Sequence, residues 1–374
     1  MGAMVNGSHI CVVVDDDCLE RFGWAVRGLC VGLIDEAIRT TVVGPRSSGI
    51  DSLEIGPVRV QTYGSLAWLR RNRELADLVY RLSEDAPRVV HALSGETAPL
   101  AAHLAGALDI PLVVTLTGID ELTEQTAPIL QSAANVVAVS EPIRTHALQR
   151  LERSAEDIVR VRWGLVAGQA PSCFLDEKKD PTLVAISPLV SHAGLEHLVD
   201  AMAQLARGQQ RVLLFVLGSG PAENDLRRRV DGLGLNERVT FVGPIREWST
   251  VLQGADVFIV PSGQHKLTIY PIAAMAAGVV VVASGGGDHD CLIDGQTARI
   301  YQPPSAELLA AVLAEVLADP SGSRRLAAAA QAYVAQHHRV SAMVAQTVQL
   351  YQQLALNQQT IPMPPTASVE SGEG

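Results

Sequence analysis

Short, valine-rich apolar runs recur along the chain and alternate with Ala- and Leu-bearing stretches of helical length. A run of that kind without polar alternation suits a strand buried on both faces. Strands separated by helices pair in parallel, because each helix returns the chain to the same end of the sheet. One series falls at 9–15, 40–43, Val89–Ala92, 111–116 and 136–140, with helical stretches such as Ala98–Leu108 between. A second falls at Thr182–Ile186, 211–217, Val239–Val242, Val257–Val260 and 279–283, followed by helical patterns at Ala306–Ala318, 324–336 and 341–354. The expected fold class is α/β: two Rossmann-like, doubly wound parallel-sheet domains facing each other across a cleft.

With 374 residues, two cores of ordinary size are expected. The divisions read from composition are a flexible N-terminus at 1–8, a first domain at 9–170 and a linker at 171–181, where Pro171, Lys178, Lys179, Asp180 and Pro181 cluster. A second domain follows at 182–340. A C-terminal helix at 341–357 could pack back on the first domain, and a proline-bearing tail at 358–374 reads as disordered.

Hydrophobic residues make up 48% and charged ones 18%, which excludes a disordered chain, and 4% aromatics point to an Ala/Val/Leu interior. No apolar stretch approaches the roughly 18 residues of a spanning helix. The first residues lack a basic segment followed by an apolar core, so a cytoplasmic location is expected. Five widely spaced cysteines without a Cys-x-x-Cys pair read as buried thiols in a reducing compartment, and neither a metal site nor a cofactor is expected. A formal net charge of −11 disfavours a general nucleic-acid surface.

The second series carries Val216-Leu217-Gly218-Ser219-Gly220-Pro221, Arg238-Val239-Thr240-Phe241-Val242-Gly243, Ala255-Asp256-Val257-Phe258-Ile259-Val260-Pro261-Ser262, Ala274-Met275-Ala276-Ala277-Gly278 and Leu292-Ile293-Asp294-Gly295. In that order these resemble the family-4 retaining glycosyltransferases of GT-B architecture. The first series matches through Val90-His91-Ala92, Ile110-Pro111-Leu112-Val113-Val114-Thr115 and Val137-Ala138-Val139-Ser140-Glu141. The resemblance implies a nucleotide-sugar donor on the second domain, an acceptor of unknown identity on the first, and hexosyl transfer between them.

Several positions depart from the family. The two glutamates that flank its donor fall on His265 and Ala273, and the arginine and lysine that neutralise its diphosphate fall on Pro188 and Ala193. Alanine accepts no hydrogen bond and a neutral histidine one at most, whereas a carboxylate can bind a sugar diol. In the first domain the family's Gly-Gly loop is replaced by Glu20-Arg21-Phe22-Gly23-Trp24, a histidine by Thr117, and an Asn-Gly by Trp163-Gly164.

The donor-binding candidates are therefore Gly218, Ser219, Gly220, Ser262, His265, Lys266, Gly286 and Gly287. Glycines past a strand permit a tight turn and close backbone approach, and a helix start after Gly285-Gly286-Gly287 could aim N–H groups at a phosphate. His192 and His197 lie near the lost cations and read more simply as ordinary imidazoles. Asp120 and His265 are the catalytic candidates. Asp120 and Glu121 read equally as acceptor-facing acids or helix caps, and Asp15, Asp16 and Asp17 chiefly as a capping loop. The alternative function is a homologue without donor chemistry, serving as a binding module with a protein partner.

Overall fold

The computed structural model describes residues 8–46, 49–64, 71–168, 172–176, 178–191, 193–245, 248–261, 267–285 and 287–359. Among these, β1 (His9–Val13), β2 (Arg39–Pro45), β3 (Arg59–Tyr63), β4 (Val89–Ala92), β5 (Leu112–Leu116), β6 (Asn135–Ala138) and β7 (Ile158–Arg160) form one parallel sheet in the order β3-β2-β1-β4-β5-β6-β7. A second parallel sheet takes β8 (Thr182–Ile186), β9 (Leu213–Leu217), β10 (Val239–Val242), β11 (Val257–Val260), β12 (Val280–Ser284) and β13 (Arg299–Tyr301) in the order β10-β9-β8-β11-β12-β13. The expected fold class is the observed one.

Central strands such as β1, β4, β5 and β12 are buried at every position, as strands covered by helices on both faces must be. The order reverses between β1 and β4 in the first sheet and between β8 and β11 in the second. Crossovers leave in opposite directions at such a point and open a crevice beyond the strands' carboxyl ends.

The helix Asp16–Asp35 after β1 starts where the Asp15 carboxylate accepts from the Cys18 N–H at 2.6 Å, satisfying one orphan donor of its first turn. It buries Phe22, Val26, Leu29 and Leu33. Its opposite neighbour is the last helix of the described chain, Val340–Gln359, which follows the second domain in sequence yet packs on the first. Gly28 and Gly32 allow that approach: a side chain at Gly32 would overlap Val344. Tyr351 anchors the last helix, its hydroxyl 2.7 Å from His91 Nδ1, while His91 Nε2 lies 2.8 Å from Thr115 Oγ1.

The crossover between the domains is docked at its described positions. Leu165 N donates to His338 O at 2.7 Å and Gly168 N to Ala276 O at 2.8 Å. Within the segment expected as a linker, Cys173 and Phe174 are buried in the second core, and Asp256 accepts from the N–H groups of Phe174 (2.5 Å) and Thr182 (2.8 Å). Two apolar side chains in a polar stretch suffice to fix it. The sequence-predicted flexible start falls outside the described residues up to position 7, as does the tail from position 360. All five cysteines are buried and unpaired. Among the described residues no helix is long and apolar enough to cross a membrane.

Candidate functional site

A cavity of about 1380 Å³ lies between the domains, bounded by the carboxyl ends of β8, β9, β11 and β12 on one side and by the first helix on the other. Of the donor-side candidates, Gly218, Ser219 and Gly287 line it, and Gly220 does not. Ser262, His265, Lys266 and Gly286 lie outside the described residues.

The glycine loop after β9 is shaped by its neighbour. Gly218 has φ +142°, and its absent side chain faces the Ser187 carbonyl, while that of Gly220 faces the backbone of Leu189. Leu189 N donates to Ser219 O at 3.0 Å and Ala222 N to Leu189 O at 2.9 Å, so two loops are laced together by their main chains. The close approach that glycine permits is therefore, first, backbone on backbone. It fixes the cavity floor at Ser187, Pro188, Gly218 and Ser219.

The positions where the resemblance places charges separate in space. Pro188 is exposed and lines the cavity. Ala193 is fully buried in the second core beside Leu195 and Leu198, and Ala273 is buried on the helix Tyr270–Ala277, outside the lining. His197 is exposed and away from the cavity, and His192 lies outside the described residues.

The opposite wall is the first helix. Asp15 caps it, and Asp16 and Asp17, in its first turn, line the cavity, so these acids do more than the capping expected of them. Burial raises the Asp15 carboxyl above its ordinary range, against bonds from Cys18 N and the Ser94 hydroxyl at 2.9 Å. Arg21 is only 6% exposed: its Nε–H donates to Asp17 at 2.8 Å and Nη1 to Leu267 O at 3.0 Å, across the cleft. Its Nη2 stands 3.5 Å from Glu121.

Asp120 and Glu121, alike in sequence, differ in place. Asp120 is exposed on the turn Ile119–Glu121, outside the cavity lining. Glu121 is buried and accepts from Gly95 N and Thr117 N, both at 2.8 Å, and from the Thr117 hydroxyl, stapling the loops that follow β4 and β5. Burial pushes its carboxyl up, with the Thr117, Gly95 and Arg21 contacts opposing.

Three further features line or close the site. Trp24 packs on Trp248 with ring centroids 5.4 Å apart, and Trp248 meets Tyr270 edge-on at 5.2 Å. The loop after β12 grips the first domain: Asp288 accepts from Ile119 N at 3.2 Å, and Asp290 from Glu141 N at 3.2 Å and Arg162 Nη2 at 2.8 Å. Between these acids His289 lines the cavity, accepting from Thr268 N at 3.4 Å, and burial lowers it to about 4, a neutral imidazole at pH 7. Its place after three glycines was the only sequence signal for it.

Residues 174–333 match the family described as Glycosyl transferases group 1. Alpha-D-kanosaminyltransferase of Streptomyces kanamyceticus is 24% identical over 334 residues, 80% of this chain and 85% of that protein. The chain is a glycosyltransferase homologue. GDP-mannose-dependent alpha-(1-6)-phosphatidylinositol monomannoside mannosyltransferase of Mycolicibacterium smegmatis is 32% identical over 158 residues, covering 40% of this chain and 41% of that one. In architecture, HepE from Anabaena, solved with UDP and glucose, superimposes with a TM-score of 0.77 at 20% identity over 92% of this glycosyltransferase-like chain and 100% of HepE.

Proposed function

We propose that this protein transfers a hexosyl group from a nucleotide-sugar donor, with retention as in the family-4 enzymes, to an acceptor held against the first domain. The carrying observation is the cavity: it opens at the carboxyl ends of β8, β9, β11 and β12, within a group 1 glycosyl transferase domain, and faces a second Rossmann-like wall. In such a transfer the bond from the anomeric carbon to the diphosphate oxygen breaks. A bond to an acceptor hydroxyl forms, and the hydroxyl proton leaves to a base or to the departing diphosphate. The glycine loop Gly218-Ser219 and the backbone at Gly285 and Gly287 supply dipoles facing the donor's phosphates. The nucleotide sugar is a substrate in this reading and no resident cofactor takes part; the cytoplasm, where nucleotide sugars are made, is its proposed location.

A second reading is favoured by one observation. Among the described lining residues no lysine or arginine comes from the second domain; the cations are Arg21, tied to Asp17 and Leu267 O, and Arg27, bonded to Ser52 O at 2.7 Å. A floor to which the described residues bring no cation suits a homologue that binds rather than transfers. Calorimetric titration with nucleoside diphosphates and nucleotide sugars, alongside an assay for donor hydrolysis, tests both. Diphosphate binding with turnover supports the transferase, binding without turnover the binding module, and no binding to any of them removes the donor site altogether.

A further inference from the structure

The first helix turns one continuous face into the cavity. Asp16, Glu20, Trp24 and Arg27 follow at i, i+4, i+8 and i+11, the spacing of a single helical face, and all four are exposed and line the cavity. Eleven steps of the helix carry this stripe about 16 Å, longer than one sugar ring.

Trp24 is the unusual member, 47% exposed, whereas Trp248, which faces it from the second domain, is buried. Its indole is held from the other domain by Trp248, which Tyr270 grips edge-on, and the Tyr270 hydroxyl is tied to Glu20 O at 2.9 Å. The part of the ring that Trp248 leaves uncovered is a fixed apolar surface bordering the cavity, with a carboxylate one turn before it and a guanidinium one turn after. Pockets that combine an aromatic surface with a few convergent polar groups recognise ligands carrying both kinds of surface. A pyranose has an apolar C–H face for the indole and equatorial hydroxyls that donate to Glu20 or accept from Arg27. An anionic acceptor fits poorly, since Asp16, Asp17 and Glu20 outnumber the two arginines on this wall.

We infer that this stripe is the acceptor subsite and that the acceptor is a neutral or amine-bearing saccharide, one ring of which stacks on Trp24 while Glu20 and Arg27 bond its hydroxyls. The inference rests on the transferase reading for the word acceptor, and on the stripe alone for the saccharide.

The test is saturation-transfer NMR of the full chain, without donor, against a panel of methyl glycosides and di- to tetrasaccharides of neutral and amino sugars. The same samples are titrated with nucleoside diphosphates. The expected result is that at least one panel member binds, that Trp24→Ala weakens it about tenfold or more, and that Trp24→Phe weakens it less. Glu20→Gln, which leaves the aromatic array intact, should also weaken it, with diphosphate affinity unchanged in every variant. If no panel member binds, or if Trp24→Ala and Glu20→Gln both bind saccharide like the parent, the inference is overturned. Should Trp24→Ala lower the melting temperature, Trp24→Phe and Glu20→Gln decide. Diphosphate binding without saccharide binding sinks this inference and leaves the transferase reading standing, whereas saccharide binding through Trp24 without diphosphate binding does the reverse.

Discussion

Arg21 reaches from the first helix to the carbonyl oxygen of Leu267, 3.0 Å away, and so joins the acceptor wall to the segment that leads into the helix Tyr270–Ala277. The same guanidinium faces the buried carboxylate of Glu121. Arg21→Ala would leave that carboxylate without its cation, and loss of one partner of a buried pair costs about 3–5 kcal/mol. Urea unfolding should show a drop of that order, with Arg21→Lys intermediate because an ammonium cannot span Asp17, Glu121 and Leu267 O together. Adding Glu121→Gln to Arg21→Ala should recover part of the loss; strictly additive effects would show that the two groups are not coupled.

His91 and His338 are each 3% exposed and neutral, and burial lowers them to about 3 and about 4. In the unfolded chain both titrate near 6.5, so the unfolded state takes up protons that the folded state refuses, and stability rises with pH in that window. Their contribution is intact above about pH 6.5 and is lost as the pH falls toward 4. Asp15 and Glu121, raised by burial, act oppositely: their contribution is present at low pH and fades as the pH rises through their folded values. The share of His91 is isolated by His91→Gln, which should make the acid limb of the urea midpoint between pH 7 and 5 less steep, with His338 and His289 among the groups that supply the remainder. An imidazole signal of His91 titrating near 6.5 in the folded protein would contradict this account.

Gly218→Ala should destabilise the second domain and distort the cavity floor in one step. A methyl there meets the Ser187 carbonyl at a φ of +142° that an alanine rarely adopts, and relief requires moving the loop after β8. Overpacking of this kind costs about 1–3 kcal/mol. Thermal or urea unfolding reads the loss, and nucleoside-diphosphate affinity should fall with it because Ser187 and Pro188 line the cavity. Full stability in the variant would mean that the two loops are not laced as described.

How far the sequence reveals this molecule depends on burial. Strands β4, β8 and β11 have the bounds of their apolar runs, since interior strands of a helix-covered sheet are apolar on both faces, and the edge strand β10 (VTFV) matches its run because only Thr240 interrupts it. The edge strands β3, β7 and β13, with sequences RVQTY, IVR and RIY, carry charged or polar residues on their open sides and leave no comparable run. In the site, the glycines after β9 are legible because their requirement is local. The stripe Asp16, Glu20, Trp24 and Arg27 was present as spacing, but its meaning depends on Trp248 and Tyr270, more than 200 positions away. Glu121 differs from Asp120 through Thr117, Gly95 and Arg21, and the last two, 26 and 100 positions away, are contacts that no local pattern encodes.

The positions that lack the family's diphosphate cations offer the sharpest discrimination, because the fold treats them differently. Pro188 is exposed on the cavity floor, so Pro188→Arg should leave stability within about 0.5 kcal/mol, as exposed substitutions usually do. A guanidinium there would face the proposed phosphates, and a charge-assisted hydrogen bond of about 1.5–3 kcal/mol would tighten nucleoside-diphosphate binding by tenfold or more. Ala193 has no accessible surface and packs among Leu195, Leu198 and their neighbours. A lysine there either forces its ammonium into an apolar core or pushes the loop aside to reach water, so Ala193→Lys should cost several kcal/mol and gain no affinity. Ala273→Glu, also buried and outside the lining, should follow Ala193→Lys. Calorimetric titration of each variant with a nucleoside diphosphate, paired with its urea midpoint, separates the cases. If Pro188→Arg binds no more tightly than the parent while remaining as stable, the donor phosphates do not lie on this floor and the binding-module reading gains.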